Sequence, residues 1–285
     1  MPFEPDTASV EQALEDVTLY NELARGGQKV VFLGESSKFG KIAVKLIKPD
    51  SGAAELRATR EIEVAKSLAD SHFPRLFESK KVTVCGVEVI CIYEEFLEGT
   101  SLRSVLQEQV CLPGKETVMI GREISAALEI LESSQVVHRD IKPENIYLAE
   151  RGRVVLLDLG IARQLGVASL TDDNAIFGPL TPGYGAPEQI RNEKRAISPR
   201  TDIFALNVVM YECFSGANPF SGHGATPRDA LMNTLNLSPE SLETFGSSRE
   251  LARVIARGME KSPHRRFPSP TAFLRQLNLC PEANE

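Results

Sequence analysis

The spacing of apolar residues changes part-way along the chain, and the change falls at residues 96–99. Before it, short apolar runs bounded by turn residues predict strands at 29–33, 41–47, 81–85 and 87–93. A stretch rich in helix formers, 53–69, predicts one helix among these strands. After it, longer stretches with helical spacing predict helices at 101–109, 116–134, 200–215, 227–235, 248–260 and 269–277.

This order predicts an α+β fold in two parts. Residues 1–17 are polar and acidic, and we interpret them as an N-terminal extension with some helix around residues 10–14. Residues 18–95 predict a small β-rich lobe with one helix, and residues 96–99 a hinge. Residues 100–278 predict a larger, mostly α-helical lobe, followed by a C-terminal tail at 279–285.

Composition narrows the class of protein. The chain has 285 residues, of which 42% are hydrophobic, enough for a substantial core. A net charge of -7 argues against nucleic-acid or anionic-membrane binding. The five cysteines include no Cys-x-x-Cys pair, so neither a zinc site nor a disulfide framework is indicated. With no run of about 18 apolar residues and no signal pattern, we expect a cytoplasmic chain without a membrane segment.

The densest polar pattern lies at residues 136–148, where apolar runs flank a group of charged and amide side chains. Loops held between buried elements often carry chemistry. His138, Arg139 and Asp140, followed by Asn145, resemble the catalytic loop of eukaryotic-type serine/threonine protein kinases. Leu156–Gly160 resembles that family's Asp-Phe-Gly element, with Asp158 as its aspartate. The resemblance implies the bilobal kinase fold.

The same resemblance implies roles for these residues in phosphoryl transfer from ATP. Asp140 would orient the hydroxyl of the substrate, and Lys142 would neutralise the transferring phosphoryl group. Asn145 and Asp158 would hold Mg²⁺, with Mn²⁺ as the alternative ion. His138 would be structural. Lys142 resembles the branch that phosphorylates Ser and Thr.

Two segments of the larger lobe extend the match. Residues 180–188 resemble the end of a kinase activation segment, in which Thr181 would hydrogen-bond near Asp140. Glu188 would form a buried ion pair with Arg266. Residues 201–206 resemble a buried helix, whose Asp202 would hold the backbone of the catalytic loop. Asn207 stands where a glycine is usual, which suggests a local change of packing.

In the small lobe, residues 23–31 stand where the family has its glycine-rich phosphate loop. Gly26 and Val31 fit, whereas Ala24 and Lys29 replace glycines. Lys45 would contact the α- and β-phosphates of ATP. Its carboxylate partner would come from the following helix, with Glu61 the best match and Glu63 or Glu55 as alternatives.

The hinge would recognise adenine. By resemblance, the C=O of Glu95 and the N–H of Leu97 pair with the base, and three side chains contact its faces: Val31, Ala43 and Leu148. Glu94 would then stand at the back of the pocket, where an apolar residue is usual. A buried carboxylate is costly unless paired. Either this alignment is off by one residue, or Glu94 has a partner.

Regulation is left open by the sequence. Phe177 occupies the place of the usual phosphorylated residue, although Arg139, which would receive the phosphate, is present. Three alternatives are open: phosphorylation on Ser169 or Thr171, a permanent negative charge from Asp172 or Asp173, and a segment that is always ordered and unregulated.

Three functions are compatible with these motifs. An ATP-dependent protein serine/threonine kinase, acting on protein substrates and on itself, accounts for the whole set. A pseudokinase, acting as an ATP-binding scaffold or interaction module, would explain the poor glycine loop and Glu94. A small-molecule phosphotransferase ranks last, because such proteins generally lack the segment at 186–188 and a residue equivalent to Lys142.

Overall fold

The computed structural model describes residues 4–26, 29–49, 52–68, 70–159, 180–222 and 224–284. These residues form two compact units. The first comprises the chain up to Glu98 together with residues 158 and 159; the second comprises Gly99–Leu157 and the chain from residue 180 onward.

A five-stranded antiparallel sheet forms the first unit, in the order β1-β2-β3-β5-β4. Its strands are β1 (Val17–Arg25), β2 (Lys29–Ser36), β3 (Gly40–Ile47), β4 (Leu76–Val84) and β5 (Val87–Glu95). The four strands expected from apolar runs are present. The edge strand β1 was not expected as a separate strand, because the last six of its nine residues are exposed and supply no apolar pattern.

The N-terminal stretch packs on this sheet rather than extending away from it. Helix α1 (Thr7–Ala13) begins after Asp6, whose carboxylate accepts a hydrogen bond from Ser9 N at 2.7 Å. Val10 and Leu14, four positions apart, are both fully buried in the cluster that includes Phe32 and Val44. One face of the sheet is therefore covered by residues that the sequence analysis assigned to an extension.

Helix α2 (Gly52–Ser67) belongs to the same unit, close to the predicted 53–69. Its Ile62 is buried in a smaller cluster with Ile47, Ile90 and Ile92. Because side chains alternate across a strand, these strand residues point to the face opposite Val44 and Leu46.

The second unit is mostly helical, as expected. Its helices are α3 (Leu102–Gln109), α4 (Gly114–Ser133), α5 (Pro187–Ile190), α6 (Pro199–Ser215), α7 (Pro227–Asn236), α8 (Arg249–Gly258) and α9 (Pro270–Leu277). Thirteen residues of α6 are buried, which makes it the central helix of the core. A small antiparallel sheet, β6 (Gly99–Ser101), β7 (Ile146–Ala149) and β8 (Val154–Leu156), completes the unit.

The C-terminal residues also pack on this unit. Glu282 is buried, and its carboxylate accepts hydrogen bonds from Ser248 N at 2.7 Å and Ser248 Oγ at 2.8 Å. The segment predicted as a tail therefore caps the start of α8. Within the described ranges, no helix combines the length and the apolar character needed to cross a bilayer.

Candidate active site

The loop at residues 138–145 joins α4 to β7, and its backbone is held by Asp202 on α6. His138 N and Arg139 N each donate to one carboxylate oxygen of Asp202, both at 2.8 Å. Asp202 is 2% exposed, and this burial raises its pKa above the ordinary value. Arg139 has φ +67°, a left-handed conformation that non-glycine residues seldom adopt. The two amide donors hold the backbone in this conformation, and they are the contact expected of Asp202.

His138 holds the loop from inside. Its ring is buried, and Nε2 lies 2.9 Å from the carbonyl oxygen of Leu157, while Nδ1 accepts from Asp140 N at 3.3 Å. These two contacts place the ring proton on Nε2. His138 therefore connects the start of the loop to Leu157, the residue that follows β8.

Asp140 is the centre of a compact polar group. Its Oδ1 accepts from Thr181 Oγ1 at 2.8 Å, and its Oδ2 lies 3.0 Å from Lys142 Nζ. Lys142 Nζ also donates to Thr181 Oγ1 at 3.3 Å. Three residues assigned by sequence to the transfer step are thus in mutual contact. The side chains of Asp140 and Lys142 keep 14% and 21% of their surface exposed, so the group remains accessible.

Asn145 closes the loop on itself. Its Nδ2 donates to the carbonyl oxygen of Asp140 at 2.8 Å and to Asp140 Oδ2 at 3.2 Å. The short 3₁₀ turn Pro143–Asn145 brings the amide back over Asp140. Since nitrogen makes these contacts, oxygen Oδ1 is the amide atom suited to a cation.

A buried ion pair fastens the chain after Thr181. Glu188 Oε1 and Oε2 accept from Arg266 Nη1 at 2.7 Å and Nη2 at 2.8 Å, and neither side chain is exposed. The expected partners are therefore in contact. Next to Glu188, Gln189 Nε2 donates to the carbonyl oxygen of Arg139 at 2.9 Å and joins this segment to the catalytic loop. The sequence analysis did not identify Gln189, which follows the matched motif.

The first unit holds a separate cluster of four charges. Lys45 Nζ lies 2.5 Å from Glu94 Oε2 and 3.0 Å from Asp158 Oδ1, and Lys29 Nζ lies 2.6 Å from Asp158 Oδ2. Loss of hydration lowers the pKa of Lys45, but the charges of Asp158 and Glu94 outweigh it and raise that pKa above its ordinary value. By the same balance, Lys45 and Lys29 hold the pKa of Asp158 well below its usual range. Lys45 and Asp158 are thus both charged at neutral pH.

Two members of this cluster were not foreseen as site residues. Glu94 was noted as an anomaly, and its partner is Lys45; the alternative of a shifted register is not needed to explain it. Lys29 was noted only as a replacement for a glycine, and the structure gives it an ion pair with Asp158. A charged residue in place of a glycine was the available signal.

The partner expected for Lys45 on α2 does not appear among the described side chains. Glu61 belongs to α2, but its side chain lies outside the described part of the structure. Glu55 pairs with Lys81, and Glu63 is exposed. Within the described residues, Glu94 takes the place of a helix glutamate beside Lys45.

The other small-lobe residues occupy strand positions or strand ends. Val31 and Ala43 are 7% and 9% exposed on β2 and β3, and Gly26 N donates to the carbonyl oxygen of Lys29 at 2.7 Å across the β1–β2 turn. Glu95 ends β5 and half-buried Leu97 follows it.

Leu148 lies on β7 of the second unit, paired with Thr100 and Val154. The expected phosphorylation sites Ser169 and Thr171 lie outside the described residues, as do the positions 172, 173 and 177 considered with them.

The donor set suits a hard divalent cation, although no cluster of three or more His, Cys, Asp or Glu side chains occurs in the described ranges. Magnesium is commonly held by one or two protein oxygen ligands together with phosphate oxygens, so such a cluster is not required. The Asp158 carboxylate and the Asn145 amide oxygen are ligands of the right kind. Any cation at Asp158 would replace an ammonium group there.

Residues 17–276 match the family model described as the protein kinase domain. The chain is 28% identical over 238 residues to the probable serine/threonine-protein kinase PknB of Lactococcus lactis, covering 78% of this chain and 36% of the relative. It is 33% identical over 253 residues to serine/threonine-protein kinase PknD of Mycobacterium tuberculosis, covering 87% and 37% respectively. The chain therefore spans little more than a third of the length of these two relatives.

Among solved structures, the PknI kinase domain of M. tuberculosis superimposes with a TM-score of 0.71 at 24% identity, covering 95% of this chain and 96% of that one. A likeness at this level of identity bears on the fold alone. It confirms the α+β, kinase-like fold predicted from the sequence.

Proposed function

We propose, because this chain belongs to the protein kinase domain family, that it transfers the γ-phosphoryl group of ATP to serine and threonine hydroxyls of proteins, itself included. The relatives PknB and PknD bear the name serine/threonine-protein kinase. The observation that carries the proposal is the mutual contact of Asp140, Lys142 and Thr181.

Phosphoryl transfer asks a protein mainly for positioning and for neutralisation of charge. The Asp140 carboxylate accepts the hydrogen bond of the incoming hydroxyl and takes its proton as the new O–P bond forms. The bond between the γ-phosphorus and the bridging oxygen of the β-phosphate breaks in the same transfer, and ADP leaves. Thr181 and Asn145 fix the orientation of that carboxylate. Lys142 carries a positive charge beside it and stabilises the negative charge of the transferring group. The contacts that orient Asp140 and Lys142 are those among the four side chains themselves.

A divalent cation supplies electrostatic neutralisation of the ATP phosphates when bound. Asn145, through Oδ1, and Asp158, through its carboxylate, are the residues we assign to hold it. Mg²⁺ is the proposed ion and Mn²⁺ the alternative, since both accept carboxylate and amide oxygens.

Nucleotide contacts are assigned to the small unit and the chain that follows it. Lys45 carries the charge for the α- and β-phosphates. The remaining assignments follow the family pattern: Gly26 for the phosphates, Val31, Ala43 and Leu148 for the faces of the base, and Glu95 and Leu97 for its edge. The proposed compartment is the cytoplasm, where ATP is available; the five free cysteines agree with a reducing environment.

The test is incubation of the chain with γ-labelled ATP and Mg²⁺, with and without a basic protein substrate, followed by phosphoamino-acid analysis. Wild type should label serine and threonine. Asp140→Asn should lose about 10²-fold or more of the rate, because the proton acceptor is removed while the fold is kept. Asp229→Asn is a matched control, since Asp229 is exposed and an amide oxygen can accept the same hydrogen bonds from Thr226 N and Oγ1.

Labelling retained by Asp140→Asn would refute the assignment of Asp140. Label found only on tyrosine would refute the substrate class. Wild type that binds ATP without transferring phosphate would make the chain a nucleotide-binding module, the pseudokinase alternative.

A further inference from the structure

Lys45 is held by a carboxylate from a strand. The 2.5 Å contact with Glu94 Oε2 is shorter than its 3.0 Å contact with Asp158 Oδ1. The side chains of Lys45 and Glu94 are only 12% and 11% exposed. A buried carboxylate at this depth requires a partner, and the ammonium of Lys45 supplies it.

The register of the sheet fixes this contact. In the β3–β5 ladder, Ala43 pairs with Glu94 and Lys45 pairs with Ile92. Directly paired residues, and residues two apart on one strand, point to the same face of a sheet. Lys45 and Glu94 are therefore diagonal neighbours on one face of two adjacent strands. The ladder therefore fixes the positions from which the two side chains reach each other.

A helix glutamate would depend on a different geometry. Helix α2 contacts this face through Ile62, which packs with Ile47, Ile90 and Ile92. A carboxylate on α2 would reach Lys45 only for suitable positions of that helix. The strand-borne carboxylate keeps its place whatever the position of α2.

The ion pairs of the cluster also favour Glu94 as the constant partner of Lys45. Asp158 has two ammonium neighbours, Lys45 and Lys29, whereas the ion pair of Glu94 within the described residues is with Lys45. When Asp158 turns to another cation, Lys45 still has a carboxylate and remains aimed. Glu94 thus supplies what a lysine needs to stay charged and oriented toward a phosphate.

We propose that Glu94 is the positioning residue that holds and aims Lys45 for nucleotide phosphates, in place of a glutamate on α2. This inference rests on the proposed function, because it assumes that Lys45 meets the phosphates of ATP. Glu94 acts through Lys45 and does not itself touch the nucleotide phosphates. Nucleotide affinity should consequently depend on Glu94 only while Lys45 is present.

The experiment is a double-mutant cycle on the full chain with the variants Glu94→Gln, Lys45→Met and their combination. The first readout is equilibrium binding of a fluorescent ATP analogue with Mg²⁺; the second is urea unfolding without nucleotide. Glu94→Gln should weaken binding on the order of tenfold in the wild-type background and leave it unchanged in the Lys45→Met background. Glu88→Gln, on the exposed part of β5, is the matched control.

A second variant distinguishes loss of the contact with Lys45 from misfolding caused by the substitution. Glu94→Met places an apolar side chain of similar length in the buried position, so it should fold and still lose the coupling to Lys45. The same cycle with Glu61→Gln in place of Glu94→Gln tests the alternative that the glutamate on α2 holds Lys45. Coupling of Glu61 to Lys45, with none for Glu94, would overturn the inference.

Two further results would also overturn it: coupling seen in unfolding but absent from nucleotide binding, which makes the pair merely structural, and a wild-type chain that binds no nucleotide. Phosphoryl transfer is measured in neither readout. Wild type that binds nucleotide but transfers no phosphate would therefore refute the proposed function while the cycle still decides on Glu94.

Discussion

Substitution of either partner in the buried ion pair between Glu188 and Arg266 should lower the stability of the helical unit more than most other substitutions. All three nitrogens of the Arg266 guanidinium donate hydrogen bonds. Besides Glu188, they reach the carbonyl oxygens of Glu260 at 2.7 Å, Arg200 at 2.9 Å and Lys261 at 3.3 Å. Glu188 Oε1 also accepts from Thr201 Oγ1 at 2.8 Å. Both side chains are fully buried, so water cannot replace a lost partner.

Glu188→Gln keeps the shape of the side chain and removes its charge. The guanidinium of Arg266 is then left as an uncompensated buried charge, which costs about 3–5 kcal/mol when one partner of such a pair is removed. For a chain of this size, each kcal/mol corresponds to about 2–4 °C in melting temperature, so the variant should melt on the order of 10 °C lower. Most of this cost is the stranded charge rather than the lost attraction.

Calorimetry and urea unfolding followed by circular dichroism measure the change; the sequence contains no tryptophan, so tryptophan fluorescence is not an option. Glu193→Gln is the control, because Glu193 is exposed just beyond α5. The double variant Glu188→Met with Arg266→Met should cost much less than the sum of its single changes, since it leaves no charge behind. A loss below about 1 kcal/mol for Glu188→Gln, the range of a surface ion pair, would refute the reasoning.

Two other changes have definite expected outcomes. Burial, helped by the charge of Arg266, lowers the pKa of Lys261 from 10.5 to about 8, and its Nζ has no hydrogen-bond partner within the described residues. Between pH 8 and 10.5 the unfolded chain holds a proton that the folded chain has released, so stability should rise with pH there; Lys261→Met should abolish that rise in urea unfolding at pH 7.5 and 9.5. A Cβ on Gly258 would lie 2.1 Å from Cγ and Nδ2 of Asn207, so Gly258→Ala should cost about 1–3 kcal/mol by overpacking. Adding Asn207→Gly should recover most of that loss, and failure to recover it would contradict the assignment of the loss to a clash with the Asn207 side chain.

The contacts of the loop at residues 138–145 could be predicted from sequence because they are local or lie within recognisable motifs. Asp140, Lys142 and Asn145 lie within six residues of chain, and a turn of fixed length brings them together. Their anchors, Thr181 and Asp202, lie farther along the chain but occupy fixed places in recognisable segments. The resemblance of these segments to the kinase family therefore implied most of the contacts that the loop makes.

The charge cluster of the first unit could not be predicted in the same way. The contact between Lys45 and Glu94 depends on the register of two strands joined by a helix and another strand, and a shift of one residue would turn either side chain to the opposite face. The replacement of a glycine by Lys29 gave no indication of its partner. The packing of the N-terminal stretch was underestimated because few apolar residues attach it to the sheet: Val10, Leu14 and, partly buried, Ala13.

The polar group around Asp140 and the charge cluster around Lys45 are held in place by different kinds of contact. Asp140 is oriented by hydrogen bonds from Thr181 and Asn145, and the backbone of its loop is held by Asp202. Lys45 is oriented by neighbours on a continuous sheet. Changes that loosen the helical unit, such as loss of the Glu188 ion pair, should therefore disturb the orientation of Asp140 before they disturb the orientation of Lys45. The orientation of Lys45 and the orientation of Asp140 should therefore be separable by mutation, since each depends on contacts made within its own unit.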